Sequence, residues 1–128
     1  MISICLPARF LTLKIITEQV LQVIHCGLNS QPNTIWEGDL SLFAGQWVHI
    51  VTQYSCSVSG RYHMRISRLD NNNMLMSYTK TLQMWRPGNE FVRPKWGIYR
   101  SLNDRGNLRD EEVFFNNFCL SKGTPLCT

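Results

Sequence analysis

The chain has no apolar stretch approaching the roughly 20 residues of a membrane-spanning helix, and Arg9 and Lys14 interrupt its Leu/Ile-rich beginning. A membrane partner is therefore not expected. That same run lacks the order of a secretory signal, since no small-residue cleavage site follows it. There is no Cys-x-x-Cys pair and no Cys/His spacing of the kind that holds zinc; the five cysteines, Cys5, Cys26, Cys56, Cys119 and Cys127, are an odd number. A thiol metal centre is not expected. Acidic residues are few, nine in all, and too scattered to nominate a calcium cage, so no cofactor is expected. Internal repeats and low-complexity segments are also absent.

What the chain does have is enough apolar material for one packed domain over residues 1–128: 44% apolar and 11% aromatic residues in a chain of 128. Its net charge of +4 is unevenly spread. Arg86, Arg93, Lys95, Arg100, Arg105 and Arg109 fall in one segment whose only acids are Glu90 and Asp104. A local positive field draws in an anionic polymer. Nucleic acid would satisfy the same electrostatics, but the aromatic and glycine motifs of the common RNA-binding folds are missing, so it is not the expected partner. Arg86, Arg105 and Arg109 also read as ordinary solvated loop residues.

Strand signals dominate the pattern. Residues 10–17 and 19–25 are short runs rich in Leu, Ile and Val, although the periodicity of 12–24 also fits a helix. Residues 29–33 (Asn-Ser-Gln-Pro-Asn) read as a loop. In residues 47–54, Val48, Ile50, Thr52 and Tyr54 share one face, while Trp47, His49, Val51 and Gln53 share the other. Residues 55–60 read as a turn, and 61–69 alternate most clearly, with Tyr62, Met64 and Ile66 inward and Arg61, His63 and Arg65 outward. Asp70-Asn-Asn-Asn73 signals a tight turn, and 74–80 read as the returning strand of a meander. Residues 85–88 and 102–111 read as loops, and 113–120 as a last strand. Cys119 and Cys127 flank a turn-rich loop that suits either a small disulfide or two free thiols.

Between the loops at 85–88 and 102–111 lies Arg93-Pro94-Lys95-Trp96-Gly97-Ile98-Tyr99-Arg100-Ser101. Period-2 alternation puts Lys95, Gly97 and Tyr99 on one face of a strand and Trp96, Ile98 and Arg100 on the other. The glycine leaves a shallow slot between a lysine and a tyrosine, in which a polymer can lie against the strand. This Lys-x-Gly-x-Tyr element resembles the strand of the β-jelly-roll polysaccharide lyases, the group of alginate lyases, heparinase I-like enzymes and fungal glucuronan lyases. Gly45-Gln46-Trp47-Val48-His49-Ile50 resembles a preceding strand of such proteins, and residues 109–118 resemble their closing strand. The similarity covers residues 17–122.

The resemblance implies an all-β, concanavalin A-like β-sandwich (jelly roll), an extracellular location, and β-elimination on an acidic, uronate-containing polysaccharide. Such domains run to roughly 200–250 residues, so the chain is expected to correspond to their C-terminal part, incomplete at the N-terminus. β-Elimination needs the C6 carboxylate neutralised, the C5 proton removed and the departing O4 protonated. On the resemblance, Tyr99 is the candidate acid and also a candidate base, with Lys95 or Arg93 close enough to lower its pKa. Lys95, Arg93 and Arg100 are candidate substrate-binding residues. Many of these enzymes carry Gln-Ile-His on a second catalytic strand. Here Leu21-Gln22-Val23-Ile24-His25 offers Gln22 for substrate binding and His25 as catalytic base, but the two are three apart and share a face only if a bulge shifts the register. The arginine strand that supplies a carboxylate contact has no match in residues 1–10, and His49 and His63 have no motif support.

A second class of function also fits: a non-catalytic, lectin-like carbohydrate-binding sandwich, or an inactive truncated lyase. That class would use Trp36, Trp85 or Trp96 as stacking platforms and would not need an ionisable Tyr99.

Overall fold

The computed structural model describes residues 3–6, 11–15, 19–28, 31–91, 106, 112–124 and 127. Among the described residues, seven strands and one turn of 3-10 helix make up the regular structure, and no α-helix occurs. The fold class is all-β, in two antiparallel sheets.

The first sheet runs β1 (Ser3–Leu6), β2 (Leu11–Ile15), β3 (Val20–Cys26), β4 (Pro32–Asp39). Each strand pairs antiparallel with its sequence neighbour, Leu13 opposite Ile4 and Val23, and Val23 opposite Trp36. Ile24 then faces Thr34, so Ile35 is an extra residue and the bulge lies in β4. The strand signals at 10–17 and 19–25 correspond to β2 and β3, which resolves the helical alternative.

From β4 the chain passes through the 3-10 turn Leu40–Leu42, whose Ser41 backbone N–H donates to Asp39 Oδ1 at 2.8 Å. Hydrogen bonding from the Ser41 side chain, and then from this backbone N–H, holds the Asp39 carboxyl below its ordinary pKa. The second sheet is the meander β5 (Val48–Tyr54), β6 (Gly60–Arg68), β7 (Met74–Leu82). Its tight turn is built by asparagines: Asn72 takes a left-handed φ of 58°, and the Asn73 N–H donates to Asn71 Oδ1 at 2.9 Å. At the other hairpin, a Cβ on Gly60 would collide with the Ser55 carbonyl oxygen and meet Met84 at 3.1 Å. Only glycine admits that close approach.

The core is shared by both sheets. β6 supplies Tyr62, Met64 and Ile66, all essentially sealed from solvent, and β7 supplies Met76. β3 contributes Leu21 and Val23, and Phe43 and Met84 complete the buried cluster from outside the strands. The inward set of β6 is the one its alternation predicts, as is the half-buried face Val48, Ile50, Thr52 and Tyr54 of β5.

Two readings are corrected, and two elements had not been expected. Pro32 and Asn33 open β4 and do not belong to a loop; among the described residues β4 lies at the edge of its sheet, where a proline at the first position is tolerated. Strand β1 and the 3-10 turn had no sequence signal that was recognised. Residues 113–120 form no strand; they run without ladder pairing among the described residues, half-burying Val113 and Phe115 while Phe114 and Phe118 stay exposed. Cys119, within this segment, is joined to Cys127 in a disulfide, which settles the pairing left open above. Cys26 and Cys56 are free thiols.

Candidate functional site

Strict alternation along β3 separates the two site candidates it carries. Leu21, Val23 and His25 point into the core, and Gln22 lies on the opposite face with Val20, Ile24 and Cys26. The bulge that would have brought Gln22 and His25 together falls in β4 instead. Sequence spacing alone predicts this separation.

His25 is buried at 8% exposure, and its Nε2 sits 2.8 Å from the Gln83 carbonyl oxygen, to which it donates. It belongs to a polar clasp between the end of β3 and the chain after β7. There the Leu28 N–H donates to Gln83 Oε1 at 2.7 Å, Arg86 Nη2 donates to the Gly27 carbonyl at 3.1 Å, and Gln83 Nε2 donates to the Trp85 carbonyl at 3.3 Å. These bonds satisfy backbone groups that would otherwise be left at the junction of two sheets. Arg86, read from sequence as a solvated loop residue, is half-buried and committed to this junction.

Gln22 is held by its neighbours on the outer face of the first sheet. Its Nε2 donates to Glu37 Oε2 at 3.1 Å and its Oε1 accepts from Thr34 Oγ1 at 3.3 Å. Close by is a shallow depression lined by Gln19, Val20, Glu37, Gly38, Asp39 and Ser41. Two carboxylates make it the wrong sign for a polyuronate.

The aromatic candidates divide similarly. Trp36 packs half-buried against the core, edge-on to Phe43 with ring centroids 6.0 Å apart, and Trp85 is half-buried. Trp36 is thereby removed as an open stacking platform. The tyrosines of the second sheet are also committed to packing: burial raises the pKa of Tyr62, Tyr54 and Tyr78, and Tyr62 donates its hydroxyl to Met64 Sδ at 3.0 Å. His63 Nδ1 lies 2.6 Å from Thr79 Oγ1 on the outer face, where His49 is exposed.

Arg93, Lys95, Trp96, Tyr99 and Arg100 lie outside the described residues, as do Arg105 and Arg109. Among the described residues no cluster of three or more His, Cys, Asp or Glu side chains is placed to hold a metal ion, and no helix is long and apolar enough to cross a membrane. In comparisons with known proteins, no family model, no curated protein and no solved structure matches the chain.

The junction built by Gln83, Arg86 and His25 is the part of this arrangement that sequence reasoning missed. One signal was present: His25 continues the Leu21, Val23 series at the same spacing, as a core-facing residue would.

Proposed function

We propose that the chain is a polysaccharide lyase-like domain of the concanavalin A-like jelly-roll type that acts by β-elimination on an acidic, uronate-containing polysaccharide outside the cell. The observation that carries the reading is the Lys95-x-Gly97-x-Tyr99 pattern, which pairs a cation with a phenol across a bare glycine on one strand face. Two antiparallel sheets around a common core support it as the type of scaffold the resemblance implies. In this reading Lys95, Arg93 and Arg100 bind and neutralise uronate carboxylates. Tyr99 does the proton work: its phenolate accepts the C5 proton and the resulting phenol returns one to O4 as the C4–O4 bond breaks and the C4–C5 double bond forms. His25, buried and donating to Gln83, is assigned in this reading to the clasp and not to the proton transfer.

The product carries its double bond in conjugation with the carboxylate, so turnover registers as ultraviolet absorbance growing with time on alginate or polyglucuronate. Tyr99→Phe removes only the hydroxyl and is expected to lower that rate by at least about 100-fold, with binding retained. An active Tyr99→Phe protein overturns the assignment.

The opposite-face placement of Gln22 and His25 favours a second reading, in which the domain binds acidic polysaccharide without cleaving it. A parent chain that binds alginate and produces no absorbance change selects that reading.

A further inference from the structure

Strands β5, β6 and β7 contain no aspartate or glutamate at all. Asp70, in the turn between β6 and β7, is paired with Arg68 at 2.6 Å. The inner face of this sheet is the core. Its outer face is a polar field laid out by the strand register: Gln53, His63 and Thr79 in one row, Val51, Arg65 and Ser77 in the next, then His49 and Ser67, with Arg61 and Thr81 at the opposite end. Arg61 and Arg65 are exposed, and neither makes an ion pair among the described residues.

We infer that this outer face of the three-stranded sheet is a docking surface for an acidic polysaccharide, separate from any chemistry at Tyr99. Charge complementarity selects an anion: two exposed guanidiniums project from β6 with no carboxylate on the three strands to screen them. They stand four residues apart on one strand, a separation of about 13 Å, so they engage successive charges along a chain and not a single ion. The remaining groups choose among polyanions. Hydroxyls at Ser67, Ser77, Thr79 and Thr81 and the amide of Gln53 match a ligand rich in hydroxyl groups. Trp47, exposed and bonded to Leu69 just beyond the His49 end of this face, adds a ring that can stack on a sugar; one indole is not the succession of platforms on which single-stranded nucleic acid stacks its bases. The choice of a uronate polymer as the occupant rests on the lyase reading above; the surface itself does not.

Affinity electrophoresis of the full chain through gels containing alginate, with dextran as the neutral comparison, tests the assignment. The parent is expected to be retarded by alginate alone, less so as salt rises. Arg61→Ser with Arg65→Ser is expected to weaken retardation roughly ten-fold. Lys80→Ser with Lys122→Ser removes the same charge elsewhere and is expected to change it little. An intact near-ultraviolet circular dichroism spectrum shows that each variant is folded. Equal loss in both double variants, undiminished binding without Arg61 and Arg65, or tighter binding to duplex DNA than to alginate would each overturn the inference. The two proposals fail separately. Tyr99→Phe abolishes elimination without moving retardation, and a parent that binds through Arg61 and Arg65 but never cleaves refutes only the lyase reading.

Discussion

The two sheets contribute to one core in different ways. The three-stranded sheet gives it a continuous apolar wall, with Tyr62, Met64, Ile66 and Met76 buried on adjacent strands. The four-stranded sheet gives Leu21 and Val23 and then, at the next inward position, a histidine tied to the backbone beyond β7. One sheet is held by surface removed from water, the other by a directed polar contact at its margin. Packing of the first kind is costly to hollow out, and contact of the second kind is costly to leave half-made.

Substitutions measure that difference. The largest loss is expected from Met64→Ala, which empties a sealed position of β6 and should cost about 2–5 kcal/mol in urea unfolding; a smaller change would mean that the wall repacks. Gly60→Ala should cost about 1–3 kcal/mol, since the new methyl must displace the Ser55 carbonyl or Met84. His25→Leu preserves apolar burial while orphaning the Gln83 carbonyl, with an expected cost of about 1–3 kcal/mol. A stability-neutral His25→Leu protein with altered catalysis would instead place His25 in the active site. The smallest effect concerns the turn. The Arg68 guanidinium holds the Asp70 carboxyl below its ordinary value near 3.8. The folded pKa is thus the lower one, and the stabilisation is present above the unfolded pKa and lost as pH falls through the folded one. Asp70→Asn should flatten that acid limb slightly, in thermal melts taken between pH 2 and 5, and leave neutral stability almost unchanged.

The same contrast explains what the sequence made legible. Strand β6 and its neighbours could be read residue by residue because one face is buried and the other wet, so the pleat is written into the alternation Tyr62, Met64, Ile66. Strand β4 could not, since a proline opens it and the bulge at Ile35 puts Ile35 and Trp36 in succession on the core side. At residues 113–120 alternation overreached: apolar spacing describes a segment able to pair, and no partner strand is present among the described residues. For the site, spacing correctly set Gln22 and His25 on opposite faces. It could not show that His25 reaches a carbonyl 58 residues away, because such a contact depends on how two sheets meet. The Lys95 and Tyr99 pattern lies outside the described residues, so its reading still rests on the sequence.

The asparagine turn has a consequence in time as well as in shape. It joins β6 to β7 as a hairpin between sequence neighbours, so this pairing closes short loops and carries little of the entropy that slows non-local sheets. The clasp at His25 must wait until the distant ends of β3 and β7 meet. The meander is therefore expected to form first and to template the docking of β3. Kinetically, Met64→Ala would slow refolding, whereas His25→Leu would chiefly quicken unfolding; the reverse partition would show that the junction of the sheets, and not the hairpin, is the folding nucleus.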